Sequence, residues 1–412
     1  MAHTTTGTGI LYQAPDNLPV LRKKVLVLVS RVPYPLDKGD KLRAFYHIRE
    51  LSRNHDIYLV ALSDEPPHPN AADTLRTFVK DVVILRFNKI QAACRLAANI
   101  FSNKPFQVAY FYSNRFHKII KNYIRTVDPD HIYCQLIRMA DYAIGSGIDT
   151  TLDYQDAFSS GLLRRAKSAP WYFKPLLLKE YQLVKRFETA VARVFDKKLI
   201  ISKPDRDFFP EPLRKDIQVI VNGVDTSWFA PRVQKKQYHI IFSGNMAYPP
   251  NIDACHFLIR DIMPKIWESM PEATVVLAGA KPHNSIKKLS SHRVIVTGWV
   301  DDLRPLYASA SIMIAPMRLG SGLQNKILEA MAMKVPVVTS PLANQAIEAI
   351  DGKQILISND AKEFAQHALS LLHNSDIYNK LSNNGLEFVL QKFCWKTLNS
   401  KLENLIISPI HS

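Results

Sequence analysis

Residues 320–341 read GSGLQNKILEAMAMKVPVVTSP: two glycines around a serine, a lysine and a glutamate three residues apart in an apolar run, then a β-branched stretch. Gly320 and Gly322 free the backbone for a tight turn, and Ser321 can cap a helix. Periodicity then predicts that helix through Met333. Leu323, Ile327, Ala330 and Met331 fall on one face and Gly322, Lys326 and Glu329 on another. Amides of a first helical turn and the positive end of the helix dipole attract phosphate, and Lys326 adds a full charge one turn along. Glu329 lies deeper, where a carboxylate accepting two hydrogen bonds suits the vicinal hydroxyls of a ribose. The segment is therefore predicted to hold a nucleoside diphosphate. The same pattern equally fits an amphipathic helix that shows its Lys and Glu to water.

Other acidic groups could also do chemistry. Asp153 and Asp156, in TLDYQDAF, follow a predicted strand, where two carboxylates could orient an acceptor hydroxyl or act as a general base. A strand-end turn with a capping Asp reads the same way. Asp128-Pro-Asp130 and Asp205-Arg-Asp207 match the D-x-D of metal-dependent sugar transferases. The first precedes a strand with a turn-forming proline and the second opens a helix, so both are read as structural. Absence of G-x-G-x-x-G, a P-loop, a nucleophile elbow and H-E-x-x-H argues against dehydrogenases, NTPases, serine hydrolases and zincins. Cys94, Cys134, Cys255 and Cys394 are far apart and form no zinc spacing, so neither disulfides nor a metal site are expected, and a reducing cytoplasm fits.

The elements that must position these groups are read from the whole chain. At 412 residues, 47% hydrophobic and 22% charged, the chain can bury two cores. No apolar run reaches the roughly 18–20 residues needed to span a bilayer, and the N-terminus lacks a basic region followed by an apolar one. A protein neither secreted nor integral is expected. Lys and Arg number 53 against 37 Asp and Glu, a net +16 that points to nucleic acid, a membrane surface or phosphate-bearing substrates. Between Arg164 and Lys198 ten basic residues are interleaved with Trp171, Tyr172, Phe173 and a leucine triplet. Such a stretch suits a helix on anionic headgroups, and somewhat better a helix packed on its own domain with a solvated basic rim.

Continuous apolar runs alternate with helical stretches: 25–30, 57–63, 82–87, 131–136, 150–154, 198–202 and 218–223 in one series, then 239–244, 274–279, 294–298, 311–316, 335–340 and 355–358 in another. Runs buried on both faces and spaced by helices predict two doubly wound parallel sheets. Residues 221–237, with Asn-Gly, Pro and a charged stretch, read as the hinge. The predicted organisation is a tail (1–20), a first Rossmann-like domain (21–222), a second (223–383) and a helix from about Asn384 to Ile407 that returns to the first domain within segment 384–412.

From Lys24 to Trp395 the chain resembles a GT-B glycosyltransferase of retaining family 4. PYPLDKGDKLRAF, KLIISKPDRDFF, VNGVD, IIFSGN, VTGWVDDLRPLYASASIMIAP and GLQNKILEAMAMKVPVVTS carry the resemblance. PYPLDKGDKLRAF, NMAYPPNIDA and GLQNKILEAMA together are similar to bacterial sugar transferases of exopolysaccharide and exosortase (PEP-CTERM) gene clusters. The resemblance implies an α/β GT-B fold, two Rossmann-like domains facing across a cleft, with a nucleotide-sugar held against the second. It places the second carboxylate of an E-x7-E motif on Glu329 and the first on Ser321, where this chain has no carboxylate. It also implies cations on the diphosphate just after the first strand of the second domain, where Gly244 is followed by Asn245 and an apolar stretch. Arg318 and Lys326 are the substitutes, although Arg318 reads equally as a surface residue. Gly39 is implied to approach the diphosphate from the opposite wall, with Asp37, Lys38 and Lys41 then bordering the acceptor. Gly298 and Val300 are implied to meet the base through their backbone. A cleft histidine of the family has no counterpart here: Gln135 and Arg138 follow the strand, and His131 at its start is not read as catalytic.

The expected activity is that of a hexosyltransferase, moving sugar from a nucleoside diphosphate donor to an acceptor hydroxyl with retention and no required metal or cofactor. The expected setting is exopolysaccharide or cell-surface glycan synthesis, in the cytoplasm or peripheral at the inner face of the plasma membrane. A glycan or lipid-linked acceptor is expected, and no nucleic acid. The rivals are a nucleotide-sugar epimerase or hydrolase on this architecture and a non-catalytic binding protein that kept the fold.

Overall fold

The computed structural model describes residues 22–98, 102–320 and 322–408; the predicted tail and Ser321 lie outside them. Seven strands form the first sheet: β1 (Lys24–Val29), β2 (Asp56–Ser63), β3 (Asp81–Arg86), β4 (His131–Gln135), β5 (Thr150–Asp153), β6 (Lys197–Ile200) and β7 (Ile217–Val219). The second sheet has six: β8 (Tyr238–Ser243), β9 (Val275–Ala278), β10 (Val294–Gly298), β11 (Ala310–Ala315), β12 (Val337–Thr339) and β13 (Leu356–Ile357). All thirteen apolar runs are strands, and all pair in parallel. The runs at 218–223 and 335–340 are shortened most, to the three-residue strands Ile217–Val219 and Val337–Thr339.

Continuous hydrophobicity sets this outcome. Val25 to Val29 are all 0% exposed, because helices cover both faces of the sheet. The strand orders are β3-β2-β1-β4-β5-β6-β7 and β10-β9-β8-β11-β12-β13. In each sheet the order reverses beside its first strand, between β1 and β4 and between β8 and β11. Loops leave the carboxyl ends of those strands in opposite directions and open a crevice, which is where ligands bind in such folds.

The chain crosses back to the first domain later than expected. Ser375–Lys392 is one helix, packed on the second domain, and Trp395–Ile407 is another. Only the latter joins the first core, through Trp395, Leu398, Leu402 and Ile406. Between the two helices Val224 pairs with Cys394, and the Val224 amide donates to the Phe393 carbonyl at 2.8 Å. The outgoing and returning strands of chain are thus tied together at the hinge. Gly223 makes room for this: a Cβ there would stand 2.8 Å from both the Phe393 oxygen and Trp395 Cδ2.

The basic aromatic stretch is not one helix. Phe158–Ser168 and Lys174–Val194 are separate helices joined by a turn that carries Trp171, Tyr172 and Phe173. Among the described residues no helix is long and apolar enough to cross a membrane.

Candidate functional site

The glycine segment adopts the predicted kind of structure with a shifted start. Gly320 and Gly322 have φ of +94° and +96°, and Gln324 is also non-helical, so the helix begins at Asn325 and ends at Ala332. The expectation of a helix from the serine cap onward is corrected on that ground. Its core stripe is as read, with Ile327, Ala330 and Met331 buried; Leu323 packs against the core from the loop.

The shorter helix puts Lys326 in its first turn and turns it inward. Its Nζ donates to Asn251 Oδ1 at 2.5 Å and lies 4.4 Å from the centre of the Phe242 ring. Asn251 in turn donates to the Asn245 carbonyl at 2.8 Å. The ammonium therefore stands at the end of β8, on the loop after Gly244, with backing from the opposite side of the switch point. Burial pulls it down to about 8, against the nearby Glu329 carboxylate, which favours its charge. Gly244 is required here: with φ of +151°, a Cβ would lie 2.7 Å from Asn251 Nδ2 and 3.2 Å from Lys326 Nζ. Across the loop, Gly320 approaches Pro250.

One helical turn on, Glu329 is half-buried and accepts a hydrogen bond from the Tyr307 hydroxyl at 2.9 Å. Ser243, at the end of β8, is 2.7 Å from the same hydroxyl and supplies the proton it needs as acceptor. Burial raises the Glu329 carboxyl above its usual range, opposed by Tyr307 and Lys326. Glu329 also bears on the other domain: it is among the charges that disfavour ionisation of Tyr46, in the Gly39–Leu51 helix. The carboxylate is thus near the junction of the two domains rather than lost in the second core.

Arg318 is held elsewhere. Its guanidinium pairs with both oxygens of Asp253, at 2.7 and 3.1 Å, and lies over the Phe257 ring. The pair is solvent-accessible, and Arg318 does not join Lys326. Gly298, with φ of +72° and open space at its Cβ position, ends β10, and half-buried Val300 follows it. Between them Trp299 is 72% exposed, its indole N–H donating to Asp301. Both residues leave the carboxyl edge of the second sheet, as do Gly244, Asn245 and the loop at 316–324.

In the first domain Gly39 is the first residue of the Gly39–Leu51 helix and is exposed; a Cβ placed on it would have only Gln155 within 4 Å. No atom of the described residues demands a glycine there. Lys41 pairs with Asp37 at the same turn.

Asp153 is corrected. It is 0% exposed, pairing with Arg43 Nε at 2.6 Å and accepting from the Tyr133 hydroxyl at 2.5 Å. Burial opposes its charge, yet Arg43 and its other partners hold the carboxyl below the usual range. Arg43 also donates to the Ile220 carbonyl and to Asn222 Oδ1, so this pair fastens the first sheet to the hinge and cannot reach an acceptor. Asp156 differs. It is half-buried just before the Phe158–Ser168 helix, and burial, with Asp205 nearby, pushes it up to about 6. That is a poised carboxyl beside Gln155, which itself has a strained φ of +61°.

The remaining readings fall in place. His131 is buried, 2.8 Å from Thr151 Oγ1 at the amino end of β4, away from the crevice. Asp128 caps a helix with φ of +50°, Asp130 accepts from the Lys24 amide, and Asp205 receives the Ser202 hydroxyl. Among the described residues no cluster of metal-ligating side chains occurs. Sequence reasoning missed Tyr307, Ser243, Asn251 and Arg43. No local pattern marks them, although all four fall within segments already singled out.

With the geometry in hand, the chain can be compared with known proteins. Residues 237–374 match the family model described as glycosyl transferases group 1. An "Uncharacterized 44.6 kDa protein in cps region" of Klebsiella pneumoniae is 23% identical over 401 residues, spanning 92% of this chain and 98% of that protein. Among solved structures, sucrose-phosphate synthase from Thermosynechococcus elongatus superposes with a TM-score of 0.64 at 14% identity, over 93% of this chain and 98% of that one. HepE from Anabaena, in complex with UDP, gives 0.63 at 14% identity, over 92% and 98%. The two switch-point sheets, the helix that crosses back between them and these likenesses establish a GT-B fold whose second domain matches the group 1 glycosyl transferase family.

Proposed function

We propose that the chain is a glycosyltransferase that moves a hexosyl unit, with retention, from a nucleoside diphosphate sugar to a hydroxyl of a glycan or lipid-linked acceptor. The observation that carries this reading is the convergence of Lys326 and Glu329 beside the switch point of the second sheet. In this reading the ammonium and the first-turn amides of the Asn325–Ala332 helix meet a diphosphate, and Glu329 accepts from ribose hydroxyls. A uridine nucleotide is favoured because structural relatives include HepE in complexes with UDP and UDP-glucose. The Klebsiella relative's cps-region name supports a role in surface polysaccharide synthesis, within which the narrower resemblance to exosortase-linked transferases falls.

In this reading the bond from the anomeric carbon to the diphosphate breaks and one to the acceptor oxygen forms. Charge gathers on the departing diphosphate, and Lys326 with the helix N-terminus offsets it, a job for which the proposal calls on no metal or cofactor. Asp156 receives the acceptor proton from the first-domain side. Exclusion of water between the domains would protect the activated donor from hydrolysis. Of the sequence-level rivals, no observation favours an epimerase or a hydrolase, whereas a serine at 321 and an asparagine at 245 are what motivate a fold without activity.

Two measurements test the proposal. Thermal shift with UDP and UDP-sugars should show stabilisation in the wild type that shrinks in Glu329→Ala and Lys326→Ala. Equal stabilisation in both variants would remove the site assignment. Product analysis with donor alone and with an acceptor extract separates the chemistries: an epimerised or hydrolysed sugar formed without acceptor would replace transfer as the activity.

A further inference from the structure

The hairpin of helices Phe158–Ser168 and Lys174–Val194 ends in a tip that none of the described residues covers. Trp171 is 84% exposed, Tyr172 61%, Phe173 53% and Leu176 48%. Apolar groups that size, contiguous at the end of a hairpin, are unfavourable in water and mark a contact surface.

The surroundings of the tip are cationic. Arg164, Lys167, Lys174, Lys185 and Arg186 are exposed on the two helices. Between Asp156 and Glu188 the only acidic residue is Glu180. Its carboxylate is buried and turned inward, accepting from the amides of Phe106 and Gln107. The hairpin therefore presents aromatic rings at its end and positive charge along its sides, with no exposed carboxylate among them.

Its direction follows from its pins. Glu188 accepts from the Ser159 amide and hydroxyl, and its carbonyl accepts from the Tyr154 hydroxyl just after β5. The level of Glu188 is thus the carboxyl edge of the first sheet, where Asp156 also sits. From Glu188 back to Lys174 is about 21 Å of helix, at 1.5 Å per residue. Because the helix leads down into β6, which is parallel to β5, that length rises away from the sheet on its carboxyl side.

We infer that this tip docks the protein on an anionic phospholipid bilayer, with Trp171, Tyr172 and Phe173 at headgroup depth and Lys167 and Lys174 against the lipid phosphates. The docking does not depend on the transfer chemistry. Its consequence, that the first-domain crevice faces the membrane and a lipid-linked acceptor reaches Asp156 from there, rests on the function proposed above.

The experiment is co-sedimentation of the full chain with vesicles of phosphatidylcholine alone and of phosphatidylcholine mixed with phosphatidylglycerol. The wild type should partition onto the anionic vesicles only, with less binding as salt rises. The combined variant Trp171→Ser, Tyr172→Ser, Phe173→Ser, which removes the apolar surface that enters the headgroup layer, and the variant Lys167→Glu, Lys174→Glu, which reverses two attractive charges, should each lose more than about 10-fold in partition. Unchanged melting temperature and unchanged UDP shift would show that fold and donor site are intact. A wild type that ignores anionic vesicles, or an aromatic variant that partitions equally, overturns the inference. A wild type that ignores vesicles but sediments as a dimer dissolved by the aromatic variant also overturns it, and makes the tip a contact between copies.

Discussion

The hydroxyl of Tyr307 donates to Oε2 of Glu329 at 2.9 Å, while its own oxygen faces the Ser243 hydroxyl at 2.7 Å. Ser243 ends β8, Tyr307 belongs to the helix Arg304–Ser309, and Glu329 to the helix Asn325–Ala332. Three elements thus fix one carboxylate, with one oxygen held from behind. Tyr307→Phe should destabilise the fold by about 1–3 kcal/mol, because the half-buried Glu329 carboxylate and the buried Ser243 hydroxyl lose their shared partner. Urea unfolding measures this. UDP stabilisation should shrink in the same variant, as Glu329 loses its orientation.

Lys326 gives two pH dependences of opposite sign. Its ammonium titrates near 8 in the folded protein, below the usual lysine value, so the unfolded chain binds more protons between about 8 and 10.4. Stability without ligand should therefore gain from this group as pH rises through that window. Diphosphate binding needs the charged form and should weaken as pH rises through 8, where the phosphate charge is already complete. Melting temperature with and without UDP from pH 7 to about 10 reads both trends. Lys326→Met should flatten both.

Asp153 and Asp156 lie three residues apart and should respond oppositely. Asp153→Asn leaves Arg43 buried without its counter-ion and should cost about 3–5 kcal/mol in denaturant unfolding. Asp156 titrates near 6, above its unfolded value, so its contribution is fully present below about 3.9 and declines as pH rises through 6. Asp156→Asn should therefore be as stable as the wild type or more so at pH 7, while transfer activity falls by about 10²-fold or more if the carboxylate acts as base.

Gly223→Ala tests the junction. The added methyl would press on the Phe393 carbonyl and Trp395 from 2.8 Å, and on Leu398 from 3.0 Å. A loss of about 1–3 kcal/mol is expected from overpacking against backbone, read as a lower melting temperature. A variant as stable as the wild type would mean that the crossing helix can shift at little cost.

Much of the architecture was already written in the order of residues. Strands covered on both faces must be continuously apolar, so the runs at Val25–Val29 and Ile312–Ala315 announced parallel sheets, and their alternation with helical stretches announced two domains. The glycine turn and the helix face carrying Lys326 and Glu329 were legible because tight turns and helix faces have a local composition. What needed the tertiary structure was the sorting of charges. Asp153 and Asp156 look alike in sequence, and only the arrival of Arg43 and Tyr133 from other elements makes the first a core ion pair. Arg318 likewise meets Asp253, and Lys326 meets Asn251, across 65 and 75 residues of chain. Backbone periodicity is a local property that a short window carries, whereas the environment of a charge is set by whichever distant segments fold against it.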